Sequence, residues 1–177
     1  NIKNRLIRKY DEKILDLDYS GKILFDDATK NNKKIKDNSV SLVITSPPYL
    51  SIVDYRLSNW LKLWLLGFEK KSLNDDIPLS DKLKYDEYID FIKNYLNSIY
   101  SKLKNGAKVC LVVGDVHGNA LIENVWKEIE NKVKYKFVEI YYDQKYLQQN
   151  KVTNMLNAKK GKATIIEKVL VLEKYGN

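Results

Sequence analysis

The sequence predicts an α/β fold, and two observations carry that expectation. Short apolar runs of strand type alternate with longer segments whose apolar residues recur at helical spacing. The last two runs, Tyr135–Tyr142 and Ile165–Lys174, enclose a polar, basic stretch and read as a terminal antiparallel hairpin at the sheet edge. With 177 residues, 44% of them hydrophobic, the chain is read as one domain, 1–177, long enough to bury about 70% of its unfolded surface.

The elements follow in order. Residues 1–17 set Ile2, Leu6, Ile7, Tyr10, Ile14, Leu15 and Leu17 close to helical spacing on a basic background, and Ser20-Gly21 is the stop signal. Lys22 to Ala28 reads as a short strand ending in two acids, Asp26 and Asp27, which serve either as a helix cap or solvated turn, or as a strand-end ligand carboxylate. Asp37-Asn38-Ser39 makes a turn, and Val40–Ile44 is expected as the central strand. Leu50–Phe68 is expected mostly as a helix covering the sheet, with Trp64 in the core. A polar loop, 69–84, is broken by Pro78. Tyr85–Lys104 then keeps Tyr88, Ile89, Ile92, Tyr95, Leu96, Ile99 and Leu103 on an i, i+3, i+4, i+7 stripe, the strongest helical signal in the chain. Asn105-Gly106 is expected to end that helix as a left-handed cap, followed by a buried strand, Lys108–Val113. A further helix over Asn119–Asn131 carries Leu121, Ile122, Val125, Trp126 and Ile129 on one face, and a second polar loop spans 144–163.

Charge and composition narrow the function classes. A net charge of +8 and a pI near 9.3 suit a polyanionic partner. One histidine and one cysteine leave too few ligands for a transition-metal site, so no metal is expected, and the lone Cys110 excludes an intrachain disulfide. No run approaches the ~20 apolar residues of a membrane span, and a cytoplasmic location is expected.

The chemistry concentrates at Leu42-Val43-Ile44-Thr45-Ser46-Pro47-Pro48-Tyr49. Two consecutive prolines fix φ near about −65° and remove two N–H donors, so the segment neither continues a ladder nor starts inside a helix. A rigid turn is therefore held at a strand's carboxyl end, where open α/β sheets bind ligands. Ser46 adds a hydroxyl beside a carbonyl that no local N–H satisfies, so two acceptors converge on one small NH2 group while Tyr49 offers a flat face for stacking.

Thr45-Ser46-Pro47-Pro48-Tyr49 resembles the catalytic motif of the amino-group DNA methyltransferases, which move a methyl from S-adenosylmethionine to cytosine N4 or adenine N6. The resemblance implies a partial Rossmann-like methyltransferase sheet over roughly residues 20–175, with Ser46, Pro47, Pro48 and Tyr49 catalytic and cytosine N4 preferred for the serine at the first motif position. It implies that Asp27 of the Asp27-Ala28 pair, with Asp26 and Thr45, lies on the methyl-donor side, sharing one rim with Ser46. It also implies that Asp54 and Tyr55, an aspartate-tyrosine pair after the motif, serve the substrate; a helix N-cap is the other reading of Asp54.

Gly114-Asp115-Val116-His117-Gly118 matches a metal-phosphoesterase string, but the single histidine rules that out; the glycines are also four apart, unlike a methyl-donor Gly-x-Gly loop. The segment reads as a turn after a later strand, from which Asp115 faces the target pocket. In the basic loop, Lys151, Lys159 and Lys160 are candidates for phosphate contacts, against a simple solvated loop.

No Gly-x-Gly occurs anywhere in the chain. The family's first strands and glycine loop are accordingly expected in a second chain or an upstream segment, this chain resembling the catalytic C-terminal half of a restriction-modification enzyme. DNA is the expected partner and no membrane; an RNA amino-group methyltransferase and a non-catalytic nucleic-acid-binding subunit are the alternatives.

Overall fold

A computed structural model describes residues 21–24, 26–50, 55–65, 67, 83–115, 120–142 and 166–176. The elements are β1 (Val40–Thr45), α1 (Tyr55–Leu65), α2 (Tyr85–Tyr100), β2 (Leu103–Asp115), α3 (Leu121–Ile129), β3 (Tyr135–Tyr142) and β4 (Ile166–Lys174). They form a four-stranded sheet in the order β1-β2-β4-β3. β1 and β2 run parallel, joined through α2, while β4 pairs antiparallel with both β2 and β3. The α/β class and the terminal antiparallel pair are as expected, and together they make a partial Rossmann-like sheet.

Period-2 alternation decides which face is buried. Val109, Leu111 and Val113 of β2 and Leu170 and Leu172 of β4 point to the helix side and join Ile92 and Leu96 of α2 and Ile122, Val125 and Ile129 of α3 in one core. Tyr135 lies in the same core and satisfies its phenol by donating to the Leu96 carbonyl at 2.8 Å. Buried Lys174 donates to the Leu103 carbonyl at 2.8 Å and lies 4.4 Å from the centre of the Tyr100 ring. The opposite face is open at β1, where Leu42 is 53% and Ile44 69% exposed.

Several expectations are corrected. Residues 21–24 form no strand, and 26–30 form bends and turns, because the Asp27 carboxylate folds back on the Thr29 amide and hydroxyl at 2.9 and 2.7 Å. β1 is an edge strand of the described sheet rather than its centre. Trp64 is 63% exposed and not core. α2 stops at Tyr100, with Ser101 as its cap in right-handed geometry. Asn105-Gly106 lies inside β2 instead of capping the helix: Gly106 takes φ +76° where the β1–β2 register jumps from Val40↔Leu103 to Leu42↔Lys108. The expected helix over 1–17, Asp54, the 69–84 loop apart from its last two residues, and the 144–163 loop with Lys151, Lys159 and Lys160 lie outside the described residues.

Candidate active site

β1 carries Val40, Val43 and Ile44, β-branched residues suited to a strand, and its ladder with β2 ends at Thr45↔Leu111. The chain then leaves the sheet where the prolines remove its donors. Pro47 is buried, Pro48, Tyr49 and Leu50 are half-buried, and Leu50 packs on the core. Ser46 is exposed. The turn is thus anchored by its apolar members while it presents a hydroxyl to solvent.

Because β1 and β2 are parallel, their carboxyl ends define one edge of the sheet. Ser46 leaves from that edge, and Asp115, the last residue of β2, lies four positions beyond the partner of Thr45, roughly 13 Å further along. Asp115 and Ser46 therefore lie toward the same edge of the sheet. A second polar group on this side was not foreseen. Lys168 of β4, buried and opposite Val113, contacts Glu123 of α3 at 2.6 Å and lies 5.5 Å from the Tyr142 ring centre. Each residue reads alone as an ordinary charge on a helix or strand; only the register brings them together.

The acidic pair is placed elsewhere. Asp26 and Asp27 line a cleft of about 300 Å³ whose other walls include Val40, Val43, Tyr95, Lys102 and Leu103. Val40 and Leu103 begin their strands, so the cleft opens toward the amino end of the parallel pair, and the expected shared rim of Asp27 and Ser46 is not formed. Val40 and Thr45 are separated by five residue steps, roughly 16 Å of strand. The Thr29 hydroxyl and amide, and Lys30 at 3.5 Å, hold the Asp27 carboxyl below its usual range. The Ser98 hydroxyl ties this segment to α2 by donating to the Ala28 carbonyl at 2.8 Å.

Tyr95 lines the cleft and packs against the core, where burial pushes its phenol's pKa up, with Thr45 acting the other way. Sequence periodicity marks Tyr95 only as a member of the apolar stripe. Its one distinguishing signal is a hydroxyl where an aliphatic side chain would satisfy the stripe equally well.

Among the described residues, no group of His, Cys, Asp and Glu could hold a metal ion, and no helix is long and apolar enough to cross a membrane.

The chain is 27% identical over 143 residues to the type II methyltransferase M.BsoBI of Geobacillus stearothermophilus, covering 77% of this chain and 28% of that protein. It is 30% identical over 141 residues to the type II methyltransferase M.MjaI of Methanocaldococcus jannaschii, covering 72% of this chain and 45% of that one. The chain thus spans less than half the length of these curated relatives. Among solved structures, PvuII DNA methyltransferase, described as cytosine-N4-specific, aligns over 80% of this chain and 44% of its own, with 16% identity and a TM-score of 0.45. A Thermus thermophilus protein assigned as a DNA modification methylase, in complex with S-adenosyl-L-methionine, aligns over 80% and 50% with 20% identity and a TM-score of 0.42. The family model for DNA methylases acting at N6 or N4 matches residues 40–176, well over half of the sequence and including the whole Thr45–Tyr49 turn, and the chain belongs to that family.

Proposed function

We propose that this chain forms the target-amine side of a DNA methyltransferase that moves a methyl from S-adenosylmethionine to the exocyclic amine of a flipped-out base, cytosine N4 in preference to adenine N6. The observation that carries the reading is the turn itself: Ser46 exposed and Pro47 buried at the carboxyl end of β1, within the stretch that matches the family. The serine at the first motif position is the ground for preferring cytosine N4.

The target amine conjugates with its ring, so its lone pair is not free to attack. Donating one N–H to the Ser46 hydroxyl oxygen and the other to a proline-flanked carbonyl favours a more tetrahedral nitrogen whose lone pair faces the methyl group. Catalysis on this chain is then positioning and electrostatics, with no strong general base required. Stacking on Tyr49 offsets part of the few kcal/mol needed to take the base out of the duplex. Asp54, Tyr55 and Asp115 complete the substrate side in this reading, and Lys151, Lys159 and Lys160 contact phosphates.

S-adenosylmethionine supplies the methyl group. The donor set of this chain fits it only in part. Thr45 adjoins the turn, Asp26 and Asp27 border a cleft with apolar walls, and no Gly-x-Gly cradle exists in the sequence. A segment of the same protein, or a second chain, therefore supplies the main cofactor cradle. Its docking place in this reading is the open side of β1. Parallel strands are normally covered on both faces, and an edge strand with exposed apolar residues is a ready template for pairing. Here Leu42 and Ile44 are exposed, as are Trp60, Leu61, Trp64 and Leu65 of α1.

The test is transfer of a labelled methyl by the complemented protein to duplex DNA and to RNA, followed by identification of the modified base. Label on cytosine N4 of DNA is expected. Transfer to RNA alone, or DNA binding with no transfer under any complementation, overturns the proposal.

A further inference from the structure

We infer that Tyr142, at the end of β3, is a contact to the DNA backbone flanking the target base, its ring seated by the buried Lys168 and by Glu123. The inference rests on the reading of the chain as part of a DNA methyltransferase, but its geometry is separate from that of the turn.

Register places the ring on the edge that carries the turn. Thr45, Leu111, Leu170 and Ile140 are paired in succession across β1, β2, β4 and β3 and form one row of the sheet. β4 is antiparallel to both β2 and β3, so β3 runs in the same direction as β1 and β2. Tyr142 therefore lies two residues beyond that row, on the side to which Ser46 departs. Three strand spacings, roughly 14 Å, separate β3 from β1. That is too far for Tyr142 to share the base stacked on Tyr49. It is near enough to meet the same nucleic acid a few nucleotides away, since the charges of one strand follow each other at about 3.4 Å along the axis.

The seat is a polar intrusion in an apolar face. Leu170 and Leu172 of β4 are fully buried, but Lys168 on the same face places its ammonium 2.6 Å from Glu123 and 5.5 Å from the centre of the Tyr142 ring. β4 repeats the arrangement at its other end, where Lys174 lies 4.4 Å from the centre of the Tyr100 ring. There the fold uses the tyrosine itself: its phenol donates to the Tyr175 and Gly176 carbonyls at 2.9 and 3.2 Å. Tyr142 is 52% exposed, and among the described residues its phenol meets only Glu123, at 3.4 Å, well beyond the about 2.7–2.8 Å usual for an O–H donor. Ring and phenol proton are thus both available on an edge where the proposed substrate carries phosphates. A phenol that donates to a phosphate oxygen while its ring packs on the adjoining sugar positions the duplex without reading its sequence.

The experiment uses the complemented protein and compares wild type, Tyr142→Phe, Tyr142→Ala, the double variant Glu123→Leu with Lys168→Met, and that double variant combined with Tyr142→Ala. It reads Kd for two duplexes of unrelated sequence, KM for DNA, kcat and melting temperature. Tyr142→Phe is expected to weaken both duplexes about 10-fold and Tyr142→Ala about 10-fold to 100-fold, by the same factor for each sequence, with the loss in KM for DNA rather than in kcat and the melting temperature within a few degrees of wild type. The double variant leaves the net charge as it is. It is expected to weaken DNA binding several-fold and to add nothing once Tyr142 is alanine. Unchanged DNA affinity in Tyr142→Ala, a factor that differs between the two duplexes, a loss confined to kcat, or a further loss in the combined variant overturns the inference. A wild-type protein that binds DNA without transferring methyl removes the functional reading, and Kd still decides the contact: weaker binding in Tyr142→Ala supports it, equal binding overturns it. A wild-type protein that does not bind DNA overturns both.

Discussion

Replacing Glu123 by leucine should destabilise the fold by about 3 kcal/mol, and replacing Lys168 as well should recover most of that loss. The Lys168 side chain is 7% exposed and meets Glu123 at 2.6 Å, with Glu123 itself 22% exposed. The Tyr142 phenol adds a weak contact to the same carboxylate at 3.4 Å, and the other Glu123 oxygen is buried with no hydrogen-bond partner among the described residues. Such a pair does little by itself for stability, because desolvation of both ions roughly offsets their attraction. Removing one member is different, since it takes from the other its ion partner at 2.6 Å. The usual cost is about 3–5 kcal/mol, and the low end applies because Glu123 is partly open to water and the Tyr142 face, 5.5 Å from the ammonium, still attracts it. For a chain of this length about 3 kcal/mol lowers the melting temperature by roughly 6–12 °C. Lys168→Met should cost about 2 kcal/mol, because the remaining carboxylate is the more hydrated partner. The double variant, Glu123→Leu with Lys168→Met, should fall within about 1 kcal/mol of wild type, a coupling of roughly 4 kcal/mol. Urea and thermal denaturation at pH 7 of all four proteins measure this. A double variant as unstable as the sum of the single ones would refute the reasoning.

Tyr49→Ala and Ser46→Ala should each lower methyl transfer by about 10²-fold or more while leaving the melting temperature within a few degrees, measured by label incorporation and thermal denaturation of the same samples. Trp64→Ser and Trp60→Ser should change stability by less than about 0.5 kcal/mol, because both rings are more than half exposed. Ile44→Asp should leave the chain folded yet abolish complementation, read by co-purification with the cradle-bearing segment. Stability should fall in acid. Lys102 holds the Asp37 carboxyl below its ordinary value of 3.8, Lys93 does the same for Asp90, and Lys108 and Lys136 hold Glu173 below 4.5. A depressed value in the folded chain means that this stabilisation is complete above the ordinary values and is lost as pH falls through the folded ones. Melting temperatures should therefore hold near neutrality and drop below about pH 4, with Asp37→Asn and Glu173→Gln flattening the drop.

What the sequence made legible was periodicity. β3 has its predicted bounds, and β4 and α3 differ from theirs by one or two residues, because alternation and the helical stripe each report a buried face directly. Gly106 misled for a physical reason: a left-handed glycine fits a helix cap and a register jump equally, and only the pairing of Leu103 with Val40 decides between them. The segment at Asp26 and Asp27 looked like a strand from its apolar start, yet an Asp27–Thr29 turn is a local competitor that periodicity does not weigh. Trp64 illustrates the converse error. An apolar stripe says that a face wants cover without saying that this stretch of chain supplies it. The candidate turn was legible because prolines dictate their own backbone, whereas the Glu123–Lys168 pair depends on a contact between residues far apart in the chain.

The strand that carries the turn is also the one least supported by its neighbours. Val43 faces the core, but Leu42 and Ile44 face solvent and β1 has a partner along one edge only in the described sheet. Fully burying a leucine or isoleucine side chain contributes about 1.5–3 kcal/mol, so covering these two, already part-buried, contributes roughly 2–3 kcal/mol before any new ladder bonds form. In the proposed assembly the same docking event holds both sides of β1 and brings the cofactor cradle to the edge where Ser46 lies. Completion of the sheet and organisation of the active site are then one equilibrium, and a substitution that weakens docking at Ile44 should lower the affinity for S-adenosylmethionine by the same factor by which bound S-adenosylmethionine strengthens docking. Titration of the two segments with and without the cofactor measures both sides of that cycle. Equal docking affinity in its presence and absence would separate the two events and show the exposed face of β1 to serve something else.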